Sequence, residues 1–174
     1  MKKRIVTALV HNRSGVLNRV TGLFTKRQFN IESISVGYTE IEGISRMTFL
    51  VNVEDDGKIE QLLKQLHKQI DVLKVSDITD QGVVARELAL IKVLSNGQTR
   101  AEINGIAEPF RASIIDVSRD SVTVQVTGDV EKVEAIIELL RPYGIKEIAR
   151  TGITAFARGN SKSVTDLRQY SIVN

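Results

Sequence analysis

Apolar and polar residues in the first half of the chain follow two different periods. Residues 5–10 form an apolar run of the length of a buried strand, and the apolar residues beyond them recur at helical spacing. The residues on this predicted helical face are Val16, Leu17, Val20, Leu23 and Phe24. Residues 28–30 break the pattern, and the alternation beyond them predicts two strands joined by a hairpin turn at residues 40–43.

A second helix and a further strand complete this half. Asp55 stands where it can cap a helix, and the apolar residues after it have the spacing of a half-buried helix. These residues are Ile59, Leu62, Leu63, Leu66 and Ile70. The apolar run at residues 72–75 predicts a short closing strand. The order βαββαβ is that of the ferredoxin-like fold, in which two helices cover one face of a four-stranded antiparallel sheet.

The same succession of elements recurs in the second half of the chain. Strands are predicted at residues 87–94, 112–117, 122–126 and 145–149, and a helix at residues 99–109. Asp129 is placed to cap a second helix. The apolar face of that helix consists of Val130, Val133, Ile136, Ile137 and Leu140.

These patterns predict an α+β protein built from two ferredoxin-like βαββαβ domains. The first domain is expected at residues 1–78 and the second at residues 83–159, because polar residues without periodicity separate them and leave a linker at residues 79–82. Residues 160–174 are polar and weakly patterned, which predicts a tail outside both domains.

Composition narrows the classes of protein to which the chain can belong. With 42% apolar residues and only two prolines, it has the composition of a globular protein rather than of a disordered one. The absence of cysteine excludes disulfides and thiolate chemistry and fits a reducing, cytoplasmic setting. The first apolar run is too short for a signal peptide or a membrane span. Acidic and basic residues are interspersed, so the net charge of +3 predicts neither a nucleic-acid nor a membrane partner.

Candidate catalytic and metal-binding groups are few. The chain has two histidines, His11 and His67, and neither stands in a recognisable arrangement with a nucleophile and an orienting carboxylate. Residues 54–57 resemble part of a calcium loop but lack its alternating oxygen ligands and final glutamate. No glycine-rich phosphate-binding motif occurs. We therefore expect no catalytic residue and no metal site on this chain.

A short polar loop between the first strand and the first helix is the strongest candidate for a functional site. It delivers Asn12, Ser14 and Gly15 to a helix N-terminus, where unpaired N–H groups and the helix dipole favour an anion such as a carboxylate. Gly15 leaves room for a close approach, and Val16 and Leu17 would form an apolar wall. Capping of the helix is the simpler explanation of Asn12 or Ser14 taken singly.

An amino acid would need all of these groups in one place. Its carboxylate, ammonium and side chain require hydrogen-bond donors, acceptors and an apolar wall close together. The loop offers donors and a wall, and Asn30, beyond the helix, adds a second polar side chain. The sequence therefore favours a small carboxylate-bearing ligand.

Several segments resemble one known family. The N-terminal half resembles an ACT domain, a regulatory module that binds amino acids. The chain as far as Gly159 resembles the small regulatory subunits of acetolactate synthase. The resemblance is carried by NRSGVLNRV at residues 12–20, FNIES at 29–33, SRMT at 45–48, residues 65–75, RELALIKV at 86–93, IDV at 115–117, RTG at 150–152 and RG at 158–159.

The resemblance implies a division of labour between two proteins. A large subunit that carries thiamine diphosphate, magnesium and FAD would condense pyruvate with a second 2-ketoacid. This chain, with no cofactor of its own, would raise that activity and confer feedback inhibition by valine. A free-standing ACT module that senses an amino acid for another protein is the alternative.

The resemblance also implies where an effector would bind. In the family, effector sites lie between the ACT domains of two chains, so a homodimer is expected. One chain would contribute the loop, with Asn12, Ser14, Gly15, Val16 and Leu17. The neighbouring chain would complete the pocket with Asn30 and Ile31.

Overall fold

The computed structural model of the chain describes residues 2–159. Residues up to Val84, with the described residues from Thr154 onward, form one compact unit, and Ala85–Ile153 form another. The predicted tail at residues 160–174 lies outside the described residues. No helix within residues 2–159 has the length and hydrophobicity needed to cross a membrane.

The first unit contains a four-stranded antiparallel sheet and two helices. Its elements are β1 (Lys2–His11), α1 (Val16–Lys26), β2 (Asn30–Tyr38), β3 (Ile44–Val53), α2 (Asp56–His67) and β4 (Val72–Asp77). The strands lie in the order β2-β3-β1-β4. This is the predicted βαββαβ arrangement, with β4 two residues longer than the apolar run indicated.

The core of the first unit lies between the sheet and its two helices. Phe24 of α1 stacks on Phe49 of β3 with ring centroids 4.7 Å apart. The buried residues from α1 are those predicted from helical spacing, with one exception. Leu17 is 46% exposed, because it lies in the first turn at the margin of the apolar stripe.

The prediction that Ile70 extends the buried face of α2 is wrong. The helix ends at His67, and Ile70 stands in the turn beyond it with 92% of its surface exposed. Helical spacing no longer determines the direction of a side chain once the helix has ended. Leu62 and Leu66, within the helix, are fully buried as predicted.

The second unit repeats the same order of elements. The chain continues through β5 (Val83–Leu94), α3 (Thr99–Ala107), β6 (Ser113–Val117), β7 (Ser121–Gly128), α4 (Val130–Leu140) and β8 (Ile145–Arg150). The strand order of this sheet is β6-β7-β5-β8. A last strand, β9 (Thr154–Ala157), belongs to the first unit. The strand β9 was not predicted, because a four-residue strand is too short to show a clear alternation.

Capping fixes where two of the helices begin. The Asp55 side chain accepts a hydrogen bond from the Lys58 N–H at 2.8 Å. The Asp129 side chain accepts one from the Lys132 N–H at 2.9 Å. Both caps confirm the sequence prediction, and each satisfies a donor that the helix itself cannot pair.

Two residues of α4 provide a matched test of its buried face. Ile136 is fully buried in the second core, whereas Leu139, three positions on, is 48% exposed. We expect Ile136→Ala to lower the free energy of unfolding by about 2–5 kcal/mol, because it removes buried methyl groups and leaves a cavity. Leu139→Ala should cost about 1 kcal/mol or less. Urea denaturation followed by circular dichroism measures both, and equal losses would contradict the assigned face.

Candidate functional site

The polar loop at residues 12–15 is held from two sides at the end of β1. The Asn12 N–H donates to the Gly43 carbonyl oxygen at 2.7 Å, in the turn between β2 and β3. The His11 N–H donates to the Asp71 carbonyl oxygen at 2.9 Å, just before β4. The loop therefore has a defined position at one end of the sheet.

Gly15 precedes α1 as its N-cap residue, with a φ of +81°. A side chain is strained in this left-handed conformation. A Cβ at this position would lie 3.1 Å from Nη1 of Arg19, closer than an ordinary van der Waals contact. The backbone conformation and the neighbouring guanidinium thus both favour glycine at this position.

The first turn of α1 has no side-chain cap. Capping by Asn12 or Ser14 is therefore not the role of either residue. Within the described part of the chain, no acceptor pairs with the backbone N–H groups of Ser14, Gly15, Leu17 and Asn18. Four such donors at the positive end of a helix dipole are suited to binding an anion.

A basic side chain adds to the positive potential around the loop. Arg19, one turn into α1, forms an ion pair with Asp71 through its Nη2 atom. The Asp71 side chain is 10% exposed, whereas that of Arg19 is 49% exposed. The first turn of α1 contains no acidic residue. Arg19 thus places beside the loop a guanidinium that is anchored on a largely buried carboxylate.

The two apolar residues after Gly15 lie in different environments. Val16 is 2% exposed and belongs to the core, and its N–H donates to the Arg13 carbonyl oxygen at 3.3 Å. Leu17 is 46% exposed. The predicted wall of two side chains is therefore corrected, since only Leu17 of this pair leaves much apolar surface beside the loop.

Asn30 and Ile31 begin β2 at the opposite end of the sheet from the loop. In the strand ladders Asn30 lies opposite Asn52, and His11 lies opposite Ile44. Ile44 and Asn52 are eight positions apart on β3, a separation of about 26 Å along a strand. Within one chain the structure therefore groups the loop residues together and keeps Asn30 and Ile31 apart from them.

Three residues that position this site were missed in the sequence. Arg19 follows Gly15 at a spacing of four, so the helical period could have placed it over the loop. Asp71 lies 52 residues from Arg19 in the sequence, and Gly43 stands in a separate turn. No local pattern links either residue to the loop, because their proximity depends on the packing of β3 and β4 against β1.

The described residues include no cluster of side chains that could coordinate a metal. No group of three or more histidine, aspartate or glutamate side chains within residues 2–159 has a suitable arrangement. His11 ends β1 and His67 ends α2. The features that stand out are the backbone donors of the loop and the Arg19 side chain.

The fold defines the class of protein, an ACT domain followed by a second ferredoxin-like domain. The model of an AHAS small subunit-like ACT domain matches residues 6–74, and that of the small subunit of acetolactate synthase matches residues 86–159. The chain belongs to the acetolactate synthase small-subunit family.

Individual relatives agree with this assignment over nearly the whole chain. The chain is 68% identical to the acetolactate synthase small subunit of Bacillus subtilis over 171 residues, 98% of this chain and 99% of that protein. It is 53% identical to a probable acetolactate synthase small subunit of Archaeoglobus fulgidus, over 92% and 99% of the two chains. The crystal structure of the Thermotoga maritima small subunit superposes with a TM-score of 0.84 at 44% identity, covering 92% of this chain and all of that one.

Proposed function

We propose that this chain is the regulatory subunit of acetolactate synthase. It binds the large, catalytic subunit, raises its activity and makes it sensitive to feedback inhibition by valine. The observation that carries the proposal is the similarity to proteins named acetolactate synthase small subunit over nearly the full length of both chains. The open loop at the start of α1 supports an effector with a carboxylate.

In this proposal the chemistry belongs to the large subunit. Thiamine diphosphate, magnesium and FAD are bound there, and this chain contributes neither a cofactor nor a catalytic residue. The two subunits act in the cytoplasm on the pathway to branched-chain amino acids, without a nucleic-acid or membrane partner. The interspersed charges and the absence of cysteine support this setting.

Each group of the effector has a proposed contact. The carboxylate accepts hydrogen bonds from the unpaired N–H groups of the loop, including that of Gly15. The ammonium is bound by the side-chain oxygens of Asn12 and of Asn30 from a second chain. The aliphatic side chain packs against Leu17, which is half-exposed beside the loop.

The separation of Asn30 from the loop supports a site shared by two copies of the chain. The strand β2 is an edge of the first sheet, and unpaired edges can pair with another chain. A two-fold axis pairs β2 with its copy in antiparallel orientation. The Asn30 of the second copy then lies at the end of the sheet where the loop of the first copy stands.

The exposed side chains of β2 also support this pairing. Val36 lies opposite Met47 in the ladder, on the face that the helices cover, and is nevertheless 47% exposed. Tyr38, two residues on, is 85% exposed. Pairing through β2 would cover apolar surface that the single chain leaves in water.

Regulation in this proposal is a linkage between two sites. Valine binds across the β2 edges, and the large subunit is bound elsewhere on the small-subunit dimer. A coupling free energy of about 1–3 kcal/mol is typical of such linkage. A few hydrogen bonds that form only in one arrangement of the two chains supply energies of this size.

Titration of the purified chain into a purified large subunit tests the proposed function. We expect acetolactate formation from pyruvate to rise to a plateau as the chain is added, and to fall when valine is included. The large subunit alone serves as the control and should respond weakly to valine. If the chain neither binds nor stimulates a large subunit, the proposal fails and a free-standing amino-acid-sensing module is favoured.

Gly15→Asp and Gly15→Asn form a matched pair that tests the position of the carboxylate. Both side chains have the same shape and tolerate a positive φ better than most residues, but only aspartate is negatively charged. We expect the inhibition constant for valine to rise in both and to be about tenfold higher in the aspartate variant, because it repels the ligand carboxylate. Unchanged inhibition of the complex by valine in Gly15→Asp would argue strongly against this site.

Mixing two inactive variants tests whether the site is shared between chains. Asn12→Ala and Asn30→Ala should each abolish valine binding in their homodimers. After refolding together, half of the dimers are mixed and each mixed dimer has one intact site, so calorimetry should detect about a quarter of the wild-type sites. A preparation of either variant refolded alone is the control, and no recovery in the mixture would exclude the shared site.

A further inference from the structure

The Arg19 side chain faces the loop with hydrogen-bonding capacity to spare. Its Nη2 atom pairs with Asp71, whereas its Nη1 atom lies 3.1 Å from the position that a Cβ on Gly15 would occupy. Within residues 2–159, Nη1 and Nε of Arg19 have no acceptor. A guanidinium carries five N–H donors in a planar fork, so this one can bind Asp71 and a second carboxylate at once.

The anchoring of Arg19 differs from that of an ordinary surface arginine. The side chain of its partner Asp71 is only 10% exposed. The backbone carbonyl oxygen of Asp71 accepts a hydrogen bond from the His11 N–H at 2.9 Å. Asp71 is thus fixed to β1, directly before the loop. An ion pair with one buried, hydrogen-bonded partner restricts the arginine to a narrow range of orientations, which lowers the entropy cost of a further contact.

Arg19 and the loop together supply the donors of a carboxylate site. Within residues 2–159 the N–H groups of Gly15 and Leu17 have no acceptor, and Nη1 of Arg19 lies 3.1 Å from the position of a Cβ on Gly15. No acidic residue occurs in the first turn of α1. A planar carboxylate offers two oxygens, one for the backbone donors and one for the guanidinium.

We propose that Arg19 is a specificity-determining residue that binds the effector's carboxylate directly, and that Asp71 is the residue that positions it. This inference rests on the proposed function, in which the loop binds an amino acid. It adds a charged side-chain contact to the backbone donors. The guanidinium is held by a largely buried carboxylate, so its remaining donors are left without a partner when the ligand has no carboxylate. The site should therefore discriminate strongly against such ligands.

Three variants separate direct contact from a purely structural role of the ion pair. Arg19→Gln and Asp71→Asn each remove the same ion pair, but only the first removes the guanidinium. The double variant R19Q/D71N removes both charges, so no buried carboxylate is left without a partner. Arg13→Gln removes a positive charge from the same loop and serves as the control for long-range electrostatics.

Valine binding to the full chain, measured by calorimetry, gives the decisive comparison. We expect Arg19→Gln to raise the dissociation constant about tenfold or more, as for loss of a charged hydrogen bond. The double variant should have the same dissociation constant as Arg19→Gln, and that of Asp71→Asn should rise less. The dissociation constant of Arg13→Gln should stay within about twofold of the wild-type value. Thermal unfolding of each variant reports on folding independently of the ligand.

Different outcomes overturn the inference and the proposed function. If Arg19→Gln binds valine as wild type does, or if Asp71→Asn loses as much affinity as Arg19→Gln, the direct contact is excluded. If Asp71→Asn alone loses affinity, Asp71 affects binding by a route other than Arg19, and the inference also fails. If neither wild type nor Arg13→Gln binds valine, the proposed effector site itself is wrong.

Discussion

The antiparallel register of β1 against β3 is the constraint on which the rest of the first domain depends. It places His11 opposite Ile44, so that the loop after β1 meets the turn between β2 and β3. The same β3, paired on its other side with β2, places Asn30 opposite Asn52 at the far end. A one-residue slip would reverse the face of every side chain in the strand, so core packing and loop position are fixed together.

The start of α1 lacks the side-chain cap that stabilises the starts of two other helices. Both α2 and α4 begin at an aspartate whose side chain binds a backbone N–H of the first turn. Such a cap contributes about 1 kcal/mol. In α1 a glycine with positive φ stands at this position and leaves donors unpaired. An aspartate there would occupy the donors that a ligand needs, so the missing cap is consistent with a site that exchanges stability for binding.

Features that depend on neighbouring residues in the sequence could be predicted, whereas contacts between distant residues could not. Helical and strand periods predicted both βαββαβ units, and single residues such as Asp55 and Asp129 predicted where helices begin. The same periods misplaced Ile70 and Leu17, because they do not show where a helix ends or which of its turns are covered. The pairing of Arg19 with Asp71 and the distance between the loop and Asn30 depend on strand register, which no local pattern contains.

The second domain shows why its equivalent loop is a poor carboxylate site. Between β5 and α3, the Asn96 side-chain oxygen accepts hydrogen bonds from the N–H groups of Gln98 and Thr99, each at 2.9 Å. Counted from the start of each helix, Glu102 of α3 stands where Arg19 stands in α1. An anion would meet satisfied donors and a negative charge there. Two copies of one topology thus differ in a few side chains at one helix start, and these differences favour the first copy as the proposed carboxylate site.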